Sequence, residues 1–156
     1  DVVLGRVPNS IVDPAYVIAT IASGIVIFLL YSKLKKHWNL FLKFDAIGLG
    51  VFTIIGATFA YNIFGLNFLA ILLAGILTAV GGGVLRDVFV NQSPIVFVKE
   101  FYLTASFIGI VIFSILLYFT EEIYVATIIG IILTTALRLI AIKYNWNLPK
   151  VKNTDS

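Results

Sequence analysis

The chain has 156 residues, of which 60% are hydrophobic and only 12% charged, with a net charge of +3 and a mean hydropathy of +1.05. A water-facing domain is usually about 25% charged, so a soluble globular enzyme and a disordered chain are both excluded. Cysteine is absent and His37 is the single histidine, which removes a disulfide framework and a thiolate metal site and speaks against a histidine metal centre or a catalytic triad.

Crossing about 30 Å of hydrocarbon takes roughly 20 helical residues. The first charge-free window of that length is 14–32. The second, 46–85, is long enough for two helices, and Tyr61-Asn62, Gly65 and Asn67 interrupt it near the middle. Two helices joined by a tight turn are predicted there. A fourth span covers 101–120, and a fifth starts at Ile123 and ends near Lys143. The expected fold is therefore an all-α membrane protein with five spans in a single transmembrane domain, 1–144. A polar cytoplasmic tail, 145–156, follows. No span is preceded by the charged region and small-residue cleavage site of a secretory signal. Methionine is absent, so a processed or cut start at Asp1 is expected.

Orientation follows from lysine and arginine in the short loops. Lys33, Lys35, Lys36 and Lys43 follow the first span, Arg86 and Lys99 follow the third, and Lys143, Lys150 and Lys152 end the chain. The alternating turns are uncharged at 62–67 and acidic at 120–122. The basic ends are predicted to face the cytoplasm of a multi-pass cell-membrane protein, with the C-terminus inside. This asymmetry accounts for the net positive charge without a nucleic-acid partner; anionic lipid headgroups could also meet the basic tail.

An internal repeat is visible. Asp1-Val2, Pro8 and Tyr16 recur as Asp87-Val88, Pro94 and Tyr102, and Gly24-Ile-Val-Ile-Phe28 recurs as Gly109-Ile-Val-Ile-Phe113. Two helices precede Asp87, so two further helices are expected before Asp1, the first-repeat counterpart of Asp87. Copies of three helices each, an odd number, must lie in the bilayer with opposite orientation, a common construction in transport proteins.

Gly81-Gly82-Gly83 is the most informative motif. Each glycine costs about 1 kcal/mol relative to alanine inside a helix, so a local break or kink is expected. Backbone groups freed in lipid must be met by protein or by a water-filled cavity. Close helix packing on small residues is the competing explanation. Arg86 and Asp87 follow directly, as an ion pair holding the kink or as charges at a pore mouth, and Arg86 also suits an interfacial position. Asp45 opens the second span as an N-cap or as a cation-attracting charge. Thr53, Thr58 and Thr78 are hydroxyls within spans that either back-bond to their own helix or line a path. Arg138, one turn from the end of the last span, faces the bundle interior or reaches outward beside Lys143. His37 is expected to be a solvated loop residue.

Gly-Gly-Gly-x-x-Arg-Asp at 81–87, with Asp-Ala-Ile-Gly-Leu-Gly at 45–50 opening the preceding helix, resembles the prokaryotic branch of the trimeric intracellular cation (TRIC) channels. The resemblance runs from Asp1 to about Lys143. It implies seven helices, as two inverted repeats of three plus one, and a homotrimer with a pore in each protomer for K+ and, less selectively, Na+. It also implies that the helix holding Gly81, Gly82 and Gly83 lines that pore, with Thr78 on the same helix. No catalytic residue, metal or cofactor is expected. The alternatives are a small-solute secondary transporter of glycine type and a membrane scaffold packed on Gly48, Gly50, Gly56, Gly75 and the triple glycine.

Overall fold

The computed structural model describes residues 5, 7, 9–35, 38–89, 101–144 and 146. The described residues form the helices α1 (Asn9–Val12), α2 (Pro14–Lys35), α3 (Trp38–Phe64), α4 (Phe68–Phe89), α5 (Phe101–Thr120) and α6 (Ile123–Lys143). Asp1, Pro8, His37, Lys99 and the tail beyond Trp146 lie outside the described residues, as do the side chains of Arg86 and Asp87.

Two compact units are present, 1–44 and 45–156. In the first, Asp13 Oδ1 accepts from the Ala15 amide at 2.9 Å and caps α2, while Pro14 takes the first helical position, where its missing N–H is harmless. Thr20 and Ser23 donate back to the carbonyls of Val17 and Ala19. Ile18, Ile21, Ile25, Phe28 and Leu29 are exposed.

The second unit holds α4, α5, α6 and α3 from Asp45 onward. Four helical stretches are long and apolar enough to cross a membrane: Leu42–Phe64, Phe68–Leu85, Phe101–Thr120 and Ile123–Lys143. The described part of α2 adds the shorter apolar stretch Pro14–Val26. The protein is a multi-pass membrane protein. Exposed leucine, isoleucine and phenylalanine on these helices face a solvent as apolar as themselves, so packing and hydrogen bonds hold the bundle rather than a hydrophobic driving force.

The turns form where polar residues and glycine interrupt the apolar windows. Gly65 ends α3 in the left-handed region at φ +62°, its amide donating to the Tyr61 carbonyl at 2.8 Å. Asn67 then caps α4, with Oδ1 accepting from the Ala70 amide at 3.2 Å. Between α5 and α6 the same bend falls on Glu121, at φ +56°. A side chain there is strained where glycine would not be. Glu121→Gly is expected to raise Tm by about 2–4 °C, the equivalent of about 1 kcal/mol in a chain of this size. A detergent thermal melt checks it, and an unchanged or lower Tm contradicts the strain.

Two apolar clusters build the interior of the bundle. The first joins Ile54, Ala57 and Ala60 of α3, Ile71 of α4, Ile110, Phe113 and Leu117 of α5, and Ala126 of α6. The second joins Leu49, Ala79, Tyr102 and Ala105, with Val80, Val84 and Leu137 against it. That second cluster lies at the end of the bundle where α3 and α5 begin and α4 and α6 finish. At the same end, Phe101 meets Trp146 edge to face at 5.2 Å, Trp146 stacks on Tyr144, and Lys143 lies 5.5 Å over the Tyr144 ring. Aromatic and basic residues of this kind settle at the headgroup level.

Candidate site on the open face of the fourth helix

The helices approach one another through glycine. A Cβ on Gly56 would lie 2.5 Å from the Ala74 carbonyl oxygen and 2.6 Å from Thr78 Oγ1. One on Gly75 would lie 3.0 Å from the Thr53 carbonyl and 2.7 Å from Ile110 Cδ1. Gly50 is closed in the same way by Thr135 and the Ile131 carbonyl, Gly109 by Thr134, and Gly130 by Ile54. For Gly50, Gly56 and Gly75 the structure selects the packing explanation; Gly48 meets nothing within 4 Å.

Hydroxyls knit the same interior. Thr53 and Ser106 are fully buried; the single Thr53 proton is divided between the Leu49 carbonyl at 2.6 Å and Ser106 Oγ at 3.0 Å. Thr134 donates to the Gly130 carbonyl, and Thr58 and Thr127 lie 3.4 Å apart. Thr53 and Thr58 therefore join helices instead of lining an open path. The helix crossings at these glycines are filled by side chain and main chain among the described residues.

The outward face of α4 is different. Leu69, Leu73, Leu77, Leu85 and Val88 form an exposed apolar strip. Thr78 and Gly82, four residues apart and so on one side of the helix, lie beside that strip, next to Leu85, and both are exposed. Gly81 and Gly83 flank Gly82, and a Cβ on any of the three would meet nothing within 4 Å. These glycines are not used for close packing among the described residues. Gly82 is exposed, while Gly81 and Gly83 are half-buried.

One expectation is corrected. α4 runs as an uninterrupted α-helix from Phe68 to Phe89, through all three glycines, so it is not a broken helix. The reason is the solvent. Each glycine weakens a helix by about 1 kcal/mol in water, but opening a backbone hydrogen bond in lipid costs several. The carbonyls stay bonded within the helix, and each keeps a second lone pair. Arg86 and Asp87 continue the same helix.

A second correction concerns Asp45. Helix α3 starts at Trp38, about two turns earlier, so Asp45 is not its N-cap. Asp45 lies half-buried, and Tyr102 Oη donates to its Oδ1 at 3.4 Å. Arg138 is 2% exposed, facing the interior rather than reaching outward, and its Cζ stands 4.8 Å over the Tyr102 ring. Sequence reasoning singled out Asp45 and Arg138 separately and missed Tyr102 as their shared neighbour. No local pattern links these residues, which come from three different helices.

A family model described as "Glycine transporter" matches residues 42–118. The UPF0126 inner membrane protein YadS of Escherichia coli is 32% identical over 139 residues, covering 88% of this chain and 67% of YadS. A solved TRIC cation channel, studied for its conductance, is 34% identical with a TM-score of 0.87, covering 99% of this chain and 76% of that one. The TRIC trimeric intracellular cation channel orthologue from Rhodobacter sphaeroides is 28% identical with a TM-score of 0.86, covering 94% and 75%. This chain thus spans two thirds to three quarters of the length of these proteins.

Proposed function

The chain belongs to the prokaryotic branch of the TRIC channel family, and from that premise we propose that it forms part of a cation channel conducting K+ and, less selectively, Na+. The observation that carries this reading is the exposed Gly82, flanked by half-buried Gly81 and Gly83 with open space where each Cβ would stand, and the exposed Thr78 on the same side of α4. Glycine carbonyls with a free lone pair and a threonine hydroxyl can replace part of a cation's hydration shell.

The path lies in an inverted repeat with a first-repeat counterpart near Asp1, and the working unit is a homotrimer with one pore per protomer. Arg86 and Asp87 stand at the basic end of α4, as a pair fixing the helix end or as charges at the pore mouth. Asp45 adds negative charge at the same end. The basic loops and the C-terminus face the cytoplasm, and 1–144 works as one transmembrane domain. Planar-bilayer recording of the full-length purified protein is expected to give unitary K+ currents that persist, smaller, in Na+. Complete absence of current across the voltage range, in protein shown to be folded, contradicts the proposal.

A glycine-type secondary transporter is the second reading, favoured by the description of the family model over residues 42–118. Saturable, gradient-coupled glycine uptake into proteoliposomes without unitary currents would select it.

A further inference from the structure

Burying a guanidinium inside a span is expensive unless its charge is compensated. Arg138 is buried to 2% exposure in α6, five residues before its end at Lys143. Its Nε and Nη2 are buried without a hydrogen-bond acceptor among the described residues. Hydrogen bonding therefore does not account for the whole of its hold. The Tyr102 ring lies 4.8 Å below Cζ, a cation–π distance, and Tyr102 Oη reaches on to Asp45 Oδ1 at 3.4 Å. Asp45 is the carboxylate that this chain of contacts reaches. The three residues come from α3, α5 and α6.

Tyr102 has a second duty. It belongs to the cluster containing Ala79 and flanked by Val80, Val84 and Leu137. Those α4 residues bracket Gly81–Gly83, and Leu137 is the chain neighbour of Arg138. The surface on which the glycine segment rests is thus the surface that Arg138 holds.

We propose that Arg138 and Asp45, joined through Tyr102, are a compensated charge pair that positions the Gly81–Gly83 segment of α4 and keeps net positive charge away from the cation path. Arg138 is a positioning residue and does not touch the ion. The proposal rests on the cation-channel reading given above.

Asp45→Asn, Arg138→Gln, their combination, and Arg138→Lys, each in the full-length protein, test it by Tm in detergent and by K+ conductance and reversal potential in a KCl gradient. Asp45→Asn leaves an uncompensated cation. It is expected to lower Tm, to reduce K+ conductance about threefold, as a unit charge roughly 10 Å away through a partly wet medium would, and to move the reversal potential toward that of Cl−. Arg138→Gln is expected to lower Tm without any shift toward Cl−. The double variant is expected to recover most of the Tm and the reversal potential of the parent. Arg138→Lys keeps the charge, and so keeps the reversal potential even if Tm falls. Losses that simply add in the double variant overturn the proposal, as do two silent single variants or a shift toward Cl− in Arg138→Gln. If Arg138→Gln does not fold, a reversal potential altered by Arg138→Lys overturns it. Were the parent protein to pass no current, the channel reading would fall alone. The Tm values of the four-member cycle would then decide the pair, additive losses refuting it and recovery sustaining it.

Discussion

Changing Gly81, Gly82 and Gly83 together to alanine is expected to leave the folded protein intact while cutting unitary K+ conductance by about tenfold or more. The structural half follows from open space. An added Cβ at each position meets nothing within 4 Å, and alanine is the better helix former by up to about 1 kcal/mol per position. Tm should stay level or rise. The functional half follows from what the methyl groups cover. They shield the spare carbonyl lone pairs and narrow the wet face. A tenfold loss requires only about 1.4 kcal/mol at the barrier, less than the desolvation penalty of a polar contact left unmade. Bilayer recording alongside a detergent melt separates the halves. Normal conductance in the triple variant would remove the glycines from permeation, and a fall in Tm would return them to packing.

The same substitution at Gly56 is expected to do the reverse. There the new Cβ would stand 2.5 Å from the Ala74 carbonyl oxygen and 2.6 Å from Thr78 Oγ1. Ordinary contact needs about 1 Å more, and a backbone oxygen inside a helix cannot turn aside. Either α3 and α4 separate and lose the packing on both sides of the crossing, or the bundle does not form. Overpacking costs about 1–3 kcal/mol, and Gly56→Ala belongs at the upper end because the obstacle is main chain. The yield of folded protein and Tm should fall sharply, since Gly56 faces into the bundle. Gly48→Ala is the matched control, because nothing lies within 4 Å of its added Cβ. Equal stability of the Gly56 and Gly48 variants would contradict the packing account.

The spans were legible in the sequence because lipid imposes a simple rule: about 20 residues without a charge. The turn at Gly65 was legible for a related reason. Asn62, Gly65 and Asn67 are the residues that can end one helix and begin another, and the structure uses Gly65 for the left-handed bend and Asn67 for the cap. Helix ends at the membrane surface were not legible. The apolar window marks where lipid begins, whereas α3 continues outward through Lys43 to Trp38, and Asp45 was consequently mistaken for a cap.

Two misjudgements at the candidate site have different origins. The triple glycine was expected to break α4 because helix propensities are measured in water, where a freed amide finds a new partner. In hydrocarbon it finds none, and the helix persists through Gly81–Gly83. The surroundings of Arg138 were hidden for a topological reason. Its partners Tyr102 and Asp45 come from other helices, and nothing in the spacing of the last span reveals which side chains those helices present to it. Small residues had the same ambiguity. Gly56 and Gly82 look alike in sequence, and only the neighbours supplied by other helices make one a crossing point and the other an open surface.

Cysteine scanning of α4 tests the account most directly, and the 156-residue sequence, with no cysteine of its own, suits it. Gly82→Cys in the reconstituted full-length protein is expected to react with a membrane-impermeant, positively charged thiol reagent, and the K+ current should fall as it reacts. Leu73→Cys, on the apolar strip of the same helix, should stay unmodified. If the cysteine at position 82 remains unreactive while a loop cysteine is labelled fully, and the current does not change, the wet glycine face does not exist.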